Sequence, residues 1–176
     1  MKKTIVYILL FALAGIIPSC ITSGYDDDYL KASKVKVGDK IPGFTLTDKD
    51  GKKLTSDDLK GKRSLIYFFI TTCGDCHQVT PVIQGVWEKI RLDDKYQLVV
   101  VNRGESVDEV EKYFSENGIT MPYYLDQLKE VYNQFAEKYV PRVYIVDSNG
   151  VIEWMTTEEK LPDDAGTAEE LFGLLE

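Results

Sequence analysis

The sequence predicts an α/β fold in which a central mixed β-sheet is flanked by helices on both faces, with an N-terminal β-hairpin extension. Continuous apolar runs at 65–70 and 97–101 are typical of buried central strands. Helical patterns separate these runs, and a late β-hairpin followed by a helix closes the chain. This order of elements favours a mixed sheet covered on both sides.

The first elements lie between residues 44 and 70. Phe44 to Thr47 alternate in polarity, and the turn ending in Asp50-Gly51 predicts the N-terminal hairpin. The segment 55–58 has the pattern of a capped helical turn, ended by Gly61. The run 65–70 then predicts the first buried strand.

Helices and strands alternate through the middle of the chain. The segment after Cys76 has helical spacing of its apolar residues Val79, Val82, Ile83, Val86, Trp87 and Ile90. Pro81 lies inside this pattern and should kink the helix. The run 97–101 predicts a strand, and Ser106 with Glu109 predicts a capping box at the start of the next helix.

The remaining elements complete the predicted sheet. The segment 123–125 is a short strand, and apolar residues between 128 and 139 line a helix. The segments 142–146 and 151–156 form a hairpin around a turn at 148–150. Thr167 and Glu170 have the spacing of a cap for a final helix that ends at Leu175.

The N-terminus predicts export. Lys2 and Lys3 precede an uncharged apolar stretch, 5–17, which has the length of a signal-peptide core and is short for a membrane span. The stretch ends in Ile17-Pro18-Ser19-Cys20, which resembles the lipobox of bacterial lipoproteins although Pro18 is not the usual residue there. An ordinary signal peptide cut nearby and an uncleaved anchor are the alternatives.

These features give three predicted regions: a lipoprotein signal peptide at 1–19, a flexible tether at 20–34 and a folded α/β domain at 35–176. A lipid on Cys20 would anchor the protein in the cell envelope or periplasm, since each buried CH₂ contributes about 0.8 kcal/mol. Ile21 follows the lipid cysteine where some bacteria place an aspartate for inner-membrane retention, so the outer membrane is favoured.

The charge of the chain is acidic. Removing Lys2 and Lys3 with the leader leaves 19 basic against 29 acidic residues, a net charge of −10. An acidic domain repels phosphate backbones, so we expect no nucleic-acid partner.

Cys73-Gly74-Asp75-Cys76 is the pattern that points to chemistry. It follows a strand and precedes a helix, where unsatisfied N–H groups favour a thiolate on the first sulfur. A thiolate is the nucleophile of thiol–disulfide exchange, and export places the pair where disulfides persist. The alternative is a purely structural disulfide.

Several motifs around this pair carry a family resemblance. The opening segment 37–44, the pair with Pro81 five residues on, and 140–147 before Asn149-Gly150 resemble the thioredoxin superfamily over roughly residues 35 to 175. The branch is the exported, membrane-tethered TlpA/ResA type of thiol–disulfide oxidoreductase, which is similar in build to peroxiredoxins of the AhpC/TSA group. A redox-active disulfide, Cys73–Cys76, and no other cofactor is implied.

The resemblance implies roles for individual residues. Cys73 attacks a target disulfide and Cys76 resolves the mixed disulfide. Pro141 is implied to be cis and to leave the backbone of Val140 free to pair with substrate. Thr72, where the family often has tryptophan, is a further substrate-binding candidate.

Other positions depart from the family and should tune the pair. Asp75 stands where proline is frequent, and its charge should oppose the helix dipole and make the couple reducing or neutral. His77 adds a titratable group beside the pair. Tyr67 replaces a buried acid and Val79 a frequent glutamate, so the proton relay is open between Tyr67, Asp75 and water.

The expected partners are protein thiols or disulfides, a separate electron-donor protein and the membrane at Cys20. Apocytochrome c, and hence cytochrome c maturation, fits as well as misoxidised envelope proteins do. Three rival functions remain: covalent haem through Cys73–His77 with Met121 or Met155 as axial ligand, copper handling by Cys73, Cys76 and His77, and a thiol peroxidase. No dedicated metal site is expected.

Overall fold

A computed structural model of the protein describes residues 24–156, 161 and 165–175, with side chains described for 28–156, 161 and 169–175. Its strands are β1 Thr45–Asp48, β2 Lys53–Thr55, β3 Arg63–Phe69, β4 Tyr96–Arg103, β5 Tyr124–Asp126, β6 Arg142–Val146 and β7 Ile152–Met155. Its helices are α1 Gly24–Lys31, α2 Gly74–Ile90, α3 Val107–Glu116, α4 Tyr132–Phe135 and α5 Ala165–Leu175, with a 3₁₀ turn at Ser56–Leu59.

The strands form a single seven-stranded sheet in the order β2-β1-β5-β4-β3-β6-β7. Strand β3 lies near its centre, parallel to β4 and antiparallel to β6. The N-terminal hairpin joins the sheet through the antiparallel pair β1–β5. The predicted mixed sheet with a hairpin extension is therefore confirmed.

The two faces of the sheet bury two separate apolar clusters. Along β3, Leu65, Tyr67 and Phe69 face one cluster, while Ile66 and Phe68 face the other. This alternation follows from the period of two along a strand. The first cluster also contains residues of α2, α3 and α5, and the second contains residues of the hairpin, the 3₁₀ turn and α4. Both faces are covered, as predicted.

The predicted helix between residues 128 and 139 shrinks to the single turn α4. Lys129 and Tyr139 both adopt positive φ, 59° and 70°, which is incompatible with a continuous right-handed helix. The Asp126 carboxylate accepts the N–H groups of Val131 and Tyr132 at 3.2 and 2.7 Å and fixes the chain as a capped turn.

The start of the last helix also differs from its prediction. Helix α5 begins at Ala165, two residues before Thr167, so Thr167 lies within the helix and is not its cap. The capping box of Ser106 and Glu109 on α3 is present as predicted.

The predicted flexible tether at 20–34 is packed over its C-terminal part. We call residues 28–34 the N-terminal strap. Tyr29 is 4% exposed and Ala32 7% exposed, because both side chains pack onto the domain. The Ala32 carbonyl accepts the Glu137 N–H at 2.8 Å, and the Lys34 N–H donates to the Phe135 carbonyl at 2.9 Å. The ordered domain therefore starts before residue 35.

The signal peptide predicted at 1–19 and the lipidation site predicted at Cys20 lie outside the described residues. Within the described residues, none of the helices combines the length and the apolar character that crossing a membrane requires.

Candidate active site

Cys73 occupies the N-cap of α2, directly after the turn that follows β3. Its backbone is extended, with φ −90° and ψ 120°, and its Sγ accepts the Cys76 N–H at 3.2 Å. A helix N-terminus presents N–H groups without intrahelical partners, and its dipole favours negative charge. The side chain is half-buried, and both cysteines are free thiols in this structure.

The loop before β6 reaches the same sulfur from the other side. The Cys73 thiol donates to the Val140 carbonyl at 3.5 Å. The Val140–Pro141 peptide bond is cis, as the family resemblance implied, and Pro141 is buried. The structure thus brings together Cys73, Cys76, Val140 and Pro141.

Cys76 lies one helical turn deeper and is fully buried. Burial raises the pKa of the Cys76 thiol strongly, and hydrogen bonding to Cys73 raises it further, against weaker opposing contributions from the Ile70 backbone and the Tyr67 hydroxyl. Cys76 is therefore a neutral thiol at ordinary pH, and the accessible sulfur of the pair is Cys73.

Tyr67 lies beneath Cys76 and is completely buried. Its hydroxyl shares a 2.8 Å hydrogen bond with the Thr80 hydroxyl and donates to the Cys76 carbonyl at 3.4 Å. The Thr80 hydroxyl donates to the same carbonyl at 2.6 Å. Burial, followed by the nearby Cys76, raises the pKa of Tyr67 well above its ordinary value. Thr80 was missed in the sequence, although it stands four residues after Cys76 on the same helix face.

The His77 side chain points to the chain turn that precedes Cys73. Its Nε2 hydrogen bonds to the Thr71 carbonyl at 2.6 Å, and its ring stacks on Tyr113 with centroids 5.0 Å apart. This places a titratable ring at the edge of the site without contact to the groove described below. Thr72, the other predicted neighbour, is exposed on the turn itself.

Glu105 braces that turn, which the sequence did not predict. Its carboxylate accepts the Thr71 N–H at 2.7 Å, the Thr71 hydroxyl at 2.8 Å and the Asn102 side-chain amide at 2.5 Å. The loop after β4 therefore fixes the position of the residues ahead of Cys73. The signal for this was a polar Asn-x-x-Glu pattern at the carboxyl end of a buried strand, where α/β folds place functional groups.

A groove of about 220 Å³ opens beside the cysteine pair. Its walls are Asp28, Tyr29, Asp75, Tyr139, Val140, Pro141 and Leu161. Asp75 thus lines the groove, whereas Tyr67 is not among the groove's lining residues. The groove follows the Val140–Pro141 backbone, which is the segment the sequence predicted to pair with substrate.

The N-terminal strap fixes one wall of this groove. The Tyr29 hydroxyl donates to the Pro141 carbonyl at 2.8 Å and shares a 2.9 Å hydrogen bond with Thr156. Burial raises the pKa of Tyr29 to about 12, so the hydroxyl keeps its proton. The Arg142 guanidinium lies 4.0 Å from the centre of the Tyr29 ring.

Arg142 ties the strap to the loop before β6. The side chain is fully buried, and its guanidinium donates to the Lys138 carbonyl at 2.9 Å, the Tyr29 carbonyl at 3.2 Å and the Ser33 hydroxyl at 2.7 Å. A buried cation is stable only with such partners. The sequence predicted Arg142 as an ordinary strand residue, because its partners are set by tertiary structure.

Several observations bear on the metal-binding alternatives. Met121, one predicted axial haem ligand, lies in the same buried cluster as Cys76. Among the described residues, His, Cys, Asp and Glu side chains do not form a group of three that could hold a metal ion. The His77 Nε2 is engaged by the Thr71 carbonyl. Met155, one of the two predicted axial haem ligands, lies in the cluster on the opposite face of the sheet from Cys76.

Known proteins resemble this chain over most of its length. The AhpC/TSA family model matches residues 37–155. The thiol-disulfide oxidoreductase ResA of Geobacillus kaustophilus is 27% identical over 164 residues, 93% of this chain and 90% of that protein. The ResA protein of Bacillus subtilis is 25% identical over 156 residues, 89% and 83% of the two chains.

Solved structures show the same fold. A structure titled as a putative protein disulfide isomerase from Bacteroides thetaiotaomicron superposes with a TM-score of 0.73 at 26% identity, over 82% of this chain and 92% of that one. StoA from Bacillus subtilis gives a TM-score of 0.63 at 22% identity, over 77% and 98% of the chains.

Proposed function

Since the chain belongs to the AhpC/TSA family and is a thiol–disulfide oxidoreductase, we propose that it acts as a reductase of protein disulfides in the cell envelope. One observation carries this proposal: Cys73 lies half-buried at a helix N-terminus against the Val140 carbonyl, while Cys76 is sealed below it. The arrangement presents one sulfur to a large substrate and keeps the second for an intramolecular step.

The reaction has two exchanges. The Cys73 thiolate attacks one sulfur of the target disulfide, forming a mixed disulfide and releasing the other target sulfur as a thiolate that takes up a proton. Cys76 then attacks the Cys73 sulfur, closes the Cys73–Cys76 disulfide and releases the second target thiol. Two electrons pass from the pair to the substrate, and the pair's own disulfide is the only redox cofactor that this cycle needs.

Substrate binding is assigned to the backbone beside the pair. An extended target segment would pair with the main chain at Val140, next to Pro141, and lie along the groove. Thr72 stands exposed at the near end of the pair, where it would contact the same segment. The open groove suits a protein segment better than hydrogen peroxide, which disfavours the peroxidase alternative.

The reducing direction is supported by charge. Asp75 lies one residue from Cys76 and two from Cys73, and a carboxylate there opposes stabilisation of the Cys73 thiolate by the helix dipole. A less stabilised thiolate makes the reduced pair a stronger reductant. A separate electron-donor protein must then restore the thiols outside the cytoplasm.

Anchoring completes the proposal. The leader 1–19 directs export, and a lipid on Cys20 holds the domain at the membrane, with the outer membrane favoured by Ile21. Apocytochrome c and misoxidised envelope proteins are both compatible substrates.

The test is the reduction potential of the pair. Residues 20–176 carrying Cys20→Ser are equilibrated across thiol/disulfide buffers, trapped with an alkylating agent and weighed by intact mass. We expect two alkyl groups to be gained together at a potential below about −200 mV, in the range of reducing family members. A potential near about −120 mV would identify an oxidase, and a disulfide that never opens would make the pair structural.

A further inference from the structure

The proton of the Cys76 thiol has no direct route to water. Cys76 and its helix neighbours Val79 and Thr80 are all fully buried. Val79 is apolar and cannot accept a proton, although it stands where a carboxylate is frequent in the family resemblance described above. Yet Cys76 must lose its proton when it attacks the mixed disulfide, because the thiolate is the nucleophile.

Hydroxyl groups take the place of that carboxylate. Beside the larger effect of burial, hydrogen bonding to the Tyr67 hydroxyl lowers the pKa of the Cys76 thiol, and the same hydroxyl lies 2.8 Å from the Thr80 hydroxyl. Tyr67 and Thr80 both converge on the Cys76 carbonyl, at 3.4 and 2.6 Å, which fixes the two hydroxyls next to each other.

Tyr113 continues the path towards the surface. Burial raises the pKa of Tyr113 and hydrogen bonding to Thr80 opposes that rise, while the ring, on α3, is only half-buried. The ring is held in place by stacking on His77. The three hydroxyls thus belong to β3, α2 and α3, and the outermost one is carried by a half-buried residue.

We propose that Tyr67, Thr80 and Tyr113 form a hydroxyl relay that carries the proton of Cys76 to solvent during resolution of the mixed disulfide. Tyr67 is the catalytic residue of this relay because it would accept the thiol proton directly, and Thr80 and Tyr113 would pass the proton onward. This inference rests on the proposed two-step exchange and names the proton path for its second step.

The relay balances without an added base. As Cys76 forms its bond to Cys73, its proton moves to the Tyr67 oxygen and the Tyr67 proton moves to Thr80. The Thr80 hydroxyl donates to the Cys76 carbonyl in the resting structure, so it must rotate before its own proton can move to Tyr113. Tyr113 releases its own proton to water, so each hydroxyl ends neutral. The substrate sulfur leaves with the electron pair of the broken disulfide and takes its proton from solvent.

The titratable groups that face Tyr67 are Cys76, Cys73 and Tyr113. All three belong to the pair or to the relay itself. Asp75, the other candidate named in the sequence, is exposed and lines the groove on the substrate side, so it has no comparable connection to Cys76.

The test separates the two exchanges in one experiment. The reduced protein, residues 20–176 carrying Cys20→Ser, is mixed with an equal amount of 5,5′-dithiobis(2-nitrobenzoate), and release of the coloured thiolate is followed by stopped flow. Attack by Cys73 releases the first equivalent, and resolution by Cys76 releases the second. We expect Tyr67→Phe to leave the first phase unchanged and to slow the second by about tenfold or more, as loss of a proton-transfer group does.

Further variants distinguish a relay from a packing effect. Thr80→Val should slow the second phase and Thr80→Ser should restore it, because serine keeps the hydroxyl. Tyr144→Phe is the matched control, since Tyr144 is an equally buried tyrosine in the adjacent strand β6, with its side chain in the cluster on the other face of the sheet. The solvent deuterium isotope effect on the second phase should fall in Tyr67→Phe.

Equal second-phase rates in the wild type and Tyr67→Phe would overturn the relay and leave water as the proton carrier. Equal slowing of both phases would also overturn it, since that result indicates general loosening of the site. A wild type that shows both phases but fails to reduce protein disulfides would remove the proposed function and leave the relay standing.

Discussion

The two cysteines of the pair are three residues apart but lie in opposite environments. Cys73 lies next to Val140, which lines the groove, and its sulfur contacts the Val140 carbonyl at 3.5 Å. Cys76 lies in the apolar cluster of α2, and the Tyr67 and Thr80 hydroxyls meet at its carbonyl. Identical side chains thus acquire different reactivity because the helix N-terminus lies at the boundary between solvent and core.

The difference supports the proposed order of reaction. Burial raises the pKa of Cys76, which favours its thiol form until a neighbouring disulfide forms. In the proposed reaction, the open side binds the substrate and the closed side completes the exchange.

The largest effect is expected from replacing each cysteine of the pair by serine in turn. Cys73→Ser should abolish the reduction of protein disulfides, while Cys76→Ser should accumulate a mixed disulfide between Cys73 and the target, because no resolving thiol remains. Non-reducing electrophoresis and intact mass measure both outcomes. Accumulation in Cys73→Ser instead would reverse the assigned roles.

The second prediction concerns the wall of the open side. Tyr29→Ala removes a buried ring and should lower the free energy of unfolding by about 3 kcal/mol, as large aromatic truncations do. Tyr29→Phe keeps the ring, loses the bonds to Pro141 and Thr156 and should cost about 1 kcal/mol. Chemical denaturation measures both losses.

Tyr29→Phe also tests whether the strap positions the groove. The rate with a protein substrate should fall more than the rate with a small disulfide, because only the protein substrate needs the Val140–Pro141 backbone in place. Equal changes for both substrates would show that the strap supports stability alone.

The third prediction tests how the negative charge of Asp75, on the open side, affects the reduction potential of the cysteine pair. Asp75→Asn removes the carboxylate nearest the pair and should make the potential less negative by about 30 mV, equivalent to about 1.4 kcal/mol. Asp94→Asn, an equal change of charge at an exposed position after α2, is the control. A shift to a more negative potential in Asp75→Asn would contradict the charge argument.

The smallest effect is expected at Glu109, which tests how the N-terminus of helix α3 stabilises a carboxylate. Hydrogen bonds from the Ser106 backbone and hydroxyl hold the pKa of Glu109 below its usual range. A carboxyl whose pKa is lowered on folding contributes stability above its unfolded pKa and loses it as the pH falls through the folded value.

Glu109→Gln should therefore be less stable than the wild type at neutral pH, and the difference should shrink as the pH falls from about 6 to about 3. Thermal unfolding across this range measures it. A stability difference that stays constant with pH would mean that the N-terminus of α3 does not stabilise the Glu109 carboxylate.

Local patterns were sufficient to predict the sheet, the pair and most element boundaries. The runs 65–70 and 97–101, the Ser106 capping box and the Val140–Pro141 motif all depend on neighbours in sequence. The contacts of Arg142 with Ser33 and of Thr71 with Glu105 depend on chain segments 109 and 34 residues apart, and no spacing rule reveals them. The helix expected after Leu128 failed for the same reason, since its apolar residues pack around a turn held by Asp126.

The docked strap also limits how far the enzyme can reach. With residues 28–34 fixed to the domain, at most the eight residues 20–27 separate the proposed lipid from the catalytic groove. Four of these residues, 24–27, belong to helix α1, so the segment spans no more than about 20 Å even with 20–23 fully extended. With the proposed lipid on Cys20, and because Tyr29 forms part of the groove, the groove would lie close to the lipid headgroups, where it would meet membrane-associated proteins first.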